Sequence, residues 1–119
     1  MNNDPIGRLE AIVIDTSDLV RATAFWSAIV GQQFGLSFEP NFRRAHLPMG
    51  LDLVLQEVRE TKSGKNRAHL DFEVENLEAS LELVHALGGT LVERVENTNG
   101  DPLLVCADPD GNEFCLTLP

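Results

Sequence analysis

The side chains of this 119-residue chain that could do chemistry are few, and most gather in its second half. His69 can ligate a metal, shuttle a proton or sit hydrogen-bonded in a polar cavity, because imidazole does each of these near neutrality. Just before it, Asn66-Arg67 reads in two ways. It is either an oxygen or anion contact at a pocket rim, or a turn amide followed by an arginine paired with Asp71 or Glu73. Cys115 is either a nucleophile or an inert buried thiol, and His69 is the sole activating base in view. Phe34, Phe38 and Phe42 lie around expected strands, where alternation turns them toward a ligand or toward the core beneath it. His46 alternates with Arg44 near a pocket mouth, and His85 lies beside Val84 at the solvent edge of a helix.

An internal repeat sets the elements that must position these groups. A shift of 58 positions lays Ala11-Ile12-Val13-Ile14 on His69-Leu70-Asp71-Phe72, Asp18-Leu19 on Asn76-Leu77, and Gly31 on Gly89. A fixed period of that size marks two copies of one structural unit. Each copy reads as a strand, a capped helix of about three turns stopped by glycine, then short strands. The first has strands at 9–16, 33–39, 43–47 and 51–58, with a helix over 19–30 capped by Asp18 or Ser17. The second has strands at 68–74, 90–96, 102–107 and 113–118, with a helix over 77–87 capped by Asn76. The expected fold is therefore α+β. Two tandem βαβββ units (about 8–58 and 66–118) form a curved, mixed eight-stranded sheet around a concave cleft, within one domain spanning 1–119. Val13, Trp26, Ile29, Leu53, Leu70, Leu81, Val84 and Leu116 are the expected core. Ala11 and His69 occupy equivalent points of the two units, so they should face one another across the cleft.

Composition removes several classes of function. Nine basic against nineteen acidic side chains give a formal charge of −10, the wrong sign for a nucleic-acid surface. The basic stretch Lys62–Arg67 reads as a solvated loop. No apolar run approaches the roughly 18 residues of a membrane span, and the N-terminus lacks signal-peptide features. The expectation is a cytoplasmic protein. Cys106 and Cys115 flank the turn Asp108-Pro109-Asp110-Gly111-Asn112. A regular hairpin there puts Cys106 beside Phe114 and Cys115 on the opposite face, which argues against a disulfide.

Three stretches resemble the vicinal oxygen chelate superfamily, which includes glyoxalase I, bleomycin-resistance proteins and extradiol dioxygenases. They are Ser17-Asp18-Leu19 with Phe25-Trp26 and Val30-Gly31, then Lys65-Asn66-Arg67-Ala68-His69-Leu70-Asp71, then Asp108–Phe114. The second is similar to a glyoxalase-like subgroup. The resemblance implies a divalent ion held by one residue from each of four strands, with open positions that polarise substrate oxygens. Carried over position by position, the first-strand ligand falls on Ala11, which has no donor. The fourth-strand ligand falls on Gln56, the fifth on His69, and the eighth on Cys115 where the family has glutamate.

A catalytic metal usually takes three protein ligands, so this set implies no intact site and no expected cofactor; a divalent metal, if held at all, would be on His69. The implied function is a homodimeric protein that binds a small, partly apolar molecule through His69, Gln56, Cys115, Phe38 and Arg67, with no nucleic-acid or membrane partner. The alternative is a metal-dependent lyase, isomerase or dioxygenase using His69.

Overall fold

The computed structural model describes residues 4–36 and 39–119. Asp18 opens the first helix in extended backbone, and its carboxylate accepts the Arg21 N–H at 3.1 Å. Asn76 does the same for the second, accepting from Ala79 N at 2.9 Å. These caps satisfy amide groups that the helix itself leaves free. Gly31 closes the first helix at φ 67, a left-handed conformation that glycine adopts without a Cβ clash.

The order is β1 (Ala11–Thr16), α1 (Leu19–Val30), β2 (Gly35–Leu36), β3 (Phe42–His46), a 3-10 turn (Pro48–Gly50) and β4 (Asp52–Glu57). Then come β5 (Leu70–Glu73), α2 (Leu77–Ala86), β6 (Thr90–Glu96), β7 (Pro102–Ala107) and β8 (Glu113–Thr117). The strands form two four-stranded mixed sheets, β1-β4-β3-β2 and β5-β8-β7-β6, in place of the single eight-stranded sheet expected from the repeat. The same order of pairing occurs in each. The first strand of each half runs parallel to the last, and the remaining pairs are antiparallel. Among the described residues, strand pairing thus closes within each half, and β1 and β5 each end a sheet.

One hydrophobic core runs through both halves. Phe25 and Trp26 of α1 meet Phe72 of β5 and Phe114 of β8, with ring centroids 5.2–6.2 Å apart and most pairs edge-to-face. Leu53, Leu55, Leu81, Val84, Leu104 and Leu116 complete it. Most of the expected core is found there, with Ile29 and Leu70 half-buried at its edge. Val13 corrects that expectation, for it is 51% exposed. Strand alternation explains this: Ile12 and Ile14 face the core, so Val13 turns to the open face.

Sequence separation is bridged by the β7–β8 turn. Asp108, 3% exposed, accepts the Trp26 indole N–H at 3.0 Å. Asp110 accepts from Thr16, from the Ser17 backbone and hydroxyl, and from Arg21, while Asn112 donates to the Asp15 carbonyl at 2.9 Å. The final hairpin of the second half is therefore clamped onto β1 and the start of α1.

Candidate functional site

The open faces of the two sheets follow from pairing and alternation. In the second sheet Asp71 lies directly beside Cys115 on the parallel β5–β8 ladder, and Val105 lies beside Cys115 on the other side. Leu70, Phe72 and Phe114 take the core face, so His69, Asp71 and Cys115 share the open one. Their donor atoms all lie within 4.8 Å of one another, and His69 Nε2 is 3.3 Å from Asp71 Oδ1. The His69 and Asp71 side chains are more than half exposed, whereas Cys115 is buried.

Electrostatics set the resting state of that thiol. Burial, then the Asp71 carboxylate to which it hydrogen-bonds, then Glu113, push the Cys115 pKa up, and Lys65 acts weakly against them. Cys115 is therefore a protonated thiol in the free protein, which disfavours a standing thiolate nucleophile. Lys65 is committed to an ion pair with Glu113, which raises its own pKa. Cys106 pairs with Phe114 in the core, and burial takes its thiol up to about 11. Both cysteines are free, as their opposite facing requires.

Between β1 and the entry to β5 lies a cavity of about 450 Å³. Ile12, Val13, Ile14, Ala68 and Leu70 give it apolar walls, it reaches Trp26, and Asp15, Asn66, His69, Asn112 and Glu113 supply polar groups. The cavity exists because β1 and β5 are both sheet edges held near each other by the clamped turn, with no ladder between them. A larger hollow of about 670 Å³ lies by the start of α2, but it is a more open groove and touches none of the candidate residues.

The structure brings His69 and Cys115 together, but Gln56 is on the other sheet, level with Asp15 on β1 and Phe42 on β3. Ala11 opens β1 beside Asp52, on the face shared with Val13 and Asp15. Asn66 takes the structural role: its Oδ1 accepts the Glu113 N–H at 3.0 Å and anchors the start of β8. Arg67 is exposed, and the ion-pair partner of Asp71 is His69. Phe38 lies outside the described residues. His46 is an exposed surface group, 2.7 Å from the Asp52 carboxylate, which also binds Arg44. Asp71 is the functional candidate that sequence reasoning missed. The signal was present in the spacing His69-x-Asp71, which puts both on one strand face, but its partner Cys115 is visible only through strand register.

The four-strand metal arrangement implied by the resemblance does not fit this chain. Ala11 offers no electron pair, and Gln56 contributes at most a neutral amide from the other sheet. The donors that do converge are His69, Asp71 and Cys115, from β5 and β8 and the residue preceding β5.

Comparison with known proteins agrees with the architecture. A solved glyoxalase/bleomycin resistance protein/dioxygenase family enzyme from Burkholderia phytofirmans PsJN is 25% identical, with TM-score 0.74, covering 94% of this chain and 98% of that one. A glyoxalase-related enzyme from Fulvimarina pelagi is 18% identical, with TM-score 0.73 over 96% and 89% of the two chains. A mutant of the fosfomycin resistance protein FosX from Listeria monocytogenes, solved with Mn(II) and 1S,2S-dihydroxypropylphosphonic acid, is 19% identical. Its TM-score is 0.76 over 96% and 90% of the two chains, a likeness of fold. The comparison with curated proteins gave no match. The glyoxalase-like domain model matches residues 11–117, nearly the whole folded chain, and the protein belongs to that family, within the vicinal oxygen chelate superfamily.

Proposed function

We propose that the protein binds a small, partly apolar molecule in the seam between β1 and β5. The observation that carries this reading is the cavity itself. At about 450 Å³ it falls within the range of roughly 300–1,000 Å³ typical of small-molecule sites. Its apolar walls supply burial, and His69, Asp15 and Asn112 supply the few polar groups that orient a ligand. FosX, with a similar fold, was solved with a small phosphonic acid and Mn(II). This chain lacks the first-strand donor, so binding in the seam does not depend on the four-strand metal arrangement. Gln56, Cys115 and Arg67 border the ligand in this reading, on the open faces and loop around the seam.

Trp26 lines the cavity and is the only tryptophan in a chain without tyrosine, so it reports on occupancy. The probe is 8-anilinonaphthalene-1-sulfonate, read by energy transfer from Trp26. The expected result is saturable binding of one dye per chain, lost in Val13→Arg while the circular dichroism is unchanged. Non-saturable binding, or binding indifferent to Val13→Arg, would overturn the proposal.

A second reading, a lyase, isomerase or dioxygenase using His69, is favoured by the Asp71 carboxylate 3.3 Å from the ring, which can orient it as a base. A ligand chemically altered on incubation with the protein, and unaltered with His69→Ala, would support it.

The working form in our reading is a homodimer in the cytoplasm. Among the described residues the sheets end at β2 and β6 without a further strand, and Val13 exposes an apolar side chain on the open face.

A further inference from the structure

We propose that the seam cavity takes a short amide-bearing molecule, the size of a blocked dipeptide, which adds to the free edge of β1 as a strand would. This ligand class rests on the seam being the binding site. The cavity meets the backbone edge-on. Its lining includes four consecutive residues of β1, Ile12, Val13, Ile14 and Asp15, and three at the entry to β5, Ala68, His69 and Leu70. A cavity on one face of a sheet touches alternate residues, so consecutive ones mean that it opens onto the strand edge.

Hydrogen bonds at the ends of the ladders fix which backbone groups face the seam. The Asp52 N–H donates to the Glu10 carbonyl at 3.0 Å, and the Val58 N–H to the Thr16 carbonyl at 2.8 Å. The even-numbered residues from Glu10 to Thr16 therefore turn their N–H and C=O groups toward β4. Ala11, Val13 and Asp15 turn theirs the other way, into the seam. Asn112 Nδ2 donates to the Asp15 carbonyl at 2.9 Å, in agreement with that direction. On β5 the Val74 N–H donates to the Thr117 carbonyl at 2.7 Å, which turns the backbone groups of Asp71 toward the seam in the same way. Among the described residues, no further strand pairs with either edge.

These groups select the ligand. An N–H and a C=O held side by side on Val13 match the C=O and N–H of an amide chain, the complementarity behind strand addition to a sheet edge. A purely apolar occupant would exclude water and leave both without partners, at a cost that an amide avoids. Length is limited at one end, because Asn112 already occupies the Asp15 carbonyl and leaves those of Ala11 and Val13 open. The walls of Ile12, Ile14, Ala68 and Leu70 take small apolar side chains. Asp15 and Glu113 also line the cavity and repel a free carboxylate, so the ligand ends in a neutral amide.

The test uses the full chain with 8-anilinonaphthalene-1-sulfonate bound and read from Trp26, and displaces the dye with N-acetyl-leucyl-alanine methylamide. Two ester analogues accompany it, each with one backbone N–H of the ligand replaced by oxygen. Successive N–H groups of an extended chain point to opposite sides, so only one ester loses a bond to β1. The expected result is complete displacement, with one ester weaker by about threefold to tenfold and the other unchanged. Val13→Pro removes the edge N–H without touching the β1–β4 ladder, and should keep the dye while weakening the dipeptide by a similar factor. The ester pair needs no variant and decides the outcome if Val13→Pro does not fold. Dye that is bound but not displaced, or two esters equal to the amide, would overturn the proposal and leave the seam as an apolar site. A chain that binds no dye saturably would overturn the seam as a site, and this ligand class with it. A longer peptide of the same composition bound far more tightly would also overturn the proposal, by assigning the edge to a protein segment.

Discussion

Trp26 and Asp108, 82 residues apart, meet in the buried interior, the indole N–H donating to the carboxylate at 3.0 Å. The pair fastens the first helix of one half to the last turn of the other. Asp108 also accepts from Asp110 N, Asn112 N and Asn112 Nδ2, so the residue that joins the halves also shapes the turn. Removing the indole donor with Trp26→Phe should cost about 2–4 kcal/mol, from one lost hydrogen bond to a charged group and the lost ring volume. Asp108→Ala should cost at least as much, because four donors lose their acceptor. Urea midpoints with an unchanged slope would check both.

Gly89 is the tightest glycine of the fold. A Cβ there would lie 2.7 Å from Val84 Cγ1, 2.8 Å from the Ala107 carbonyl and 2.9 Å from Phe25 Cε2. Its repeat partner Gly31 has open space around it but a φ of +67. The two should respond differently to alanine. Gly89→Ala should lose about 1–3 kcal/mol through overpacking, and Gly31→Ala about 1 kcal/mol through backbone strain. Asparagine, which tolerates left-handed backbone, should recover part of the loss at position 31 and none at 89. Thermal midpoints of the four variants measure the contrast.

Acid sensitivity should trace to Asp110. Burial pushes its pKa up, but hydrogen bonds from Thr16 and Ser17 and the Arg21 charge outweigh it and hold the carboxyl below its usual value. A depressed acid contributes stability that is complete above the unfolded value, about 3.9, and is lost as pH falls through the folded value. Wild type should therefore exceed Asp110→Asn by about 1–2 kcal/mol at neutral pH, with the gap closing below about pH 4. Asp108 runs the other way. Burial raises its pKa despite the Asn112 and Trp26 donors, so its contribution is present at low pH and declines as pH rises through the folded value. Comparing wild type with the single variant isolates Asp110 from that opposing trend.

Light scattering at micromolar concentration should give twice the chain mass. The open faces of both sheets and the edges at β2 and β6 are where a second copy would cover surface. Val13→Glu puts a charge on one of those faces and should shift the mass toward monomer. A wild-type mass of one chain would remove the dimer from the proposed function.

Local signals carried much of the architecture. Asp18 and Asn76 as caps and the glycines after the helices are short-range patterns, each found in the fold, and the 58-residue shift repeats them in the second half. Alternation around the β7–β8 turn likewise put Cys106 and Cys115 on opposite faces. Such features are legible because caps, turns and periodicity depend on neighbours a few residues away.

Tertiary structure decided the rest. The sequence determined that there are two similar units, and that His69 lies near the start of the second. It did not determine that strand pairing closes within each half, which leaves β1 and β5 as two edges with a cavity between them. Nor did it place Asp71 beside Cys115, or turn Val13 outward. A parallel pair such as β5 and β8 has no tight turn to set its register, and a slip of one residue would send Asp71 to the core face. Packing of Phe72 and Phe114 against Trp26 of α1, in contacts distant in sequence, selects the register and so assembles the site.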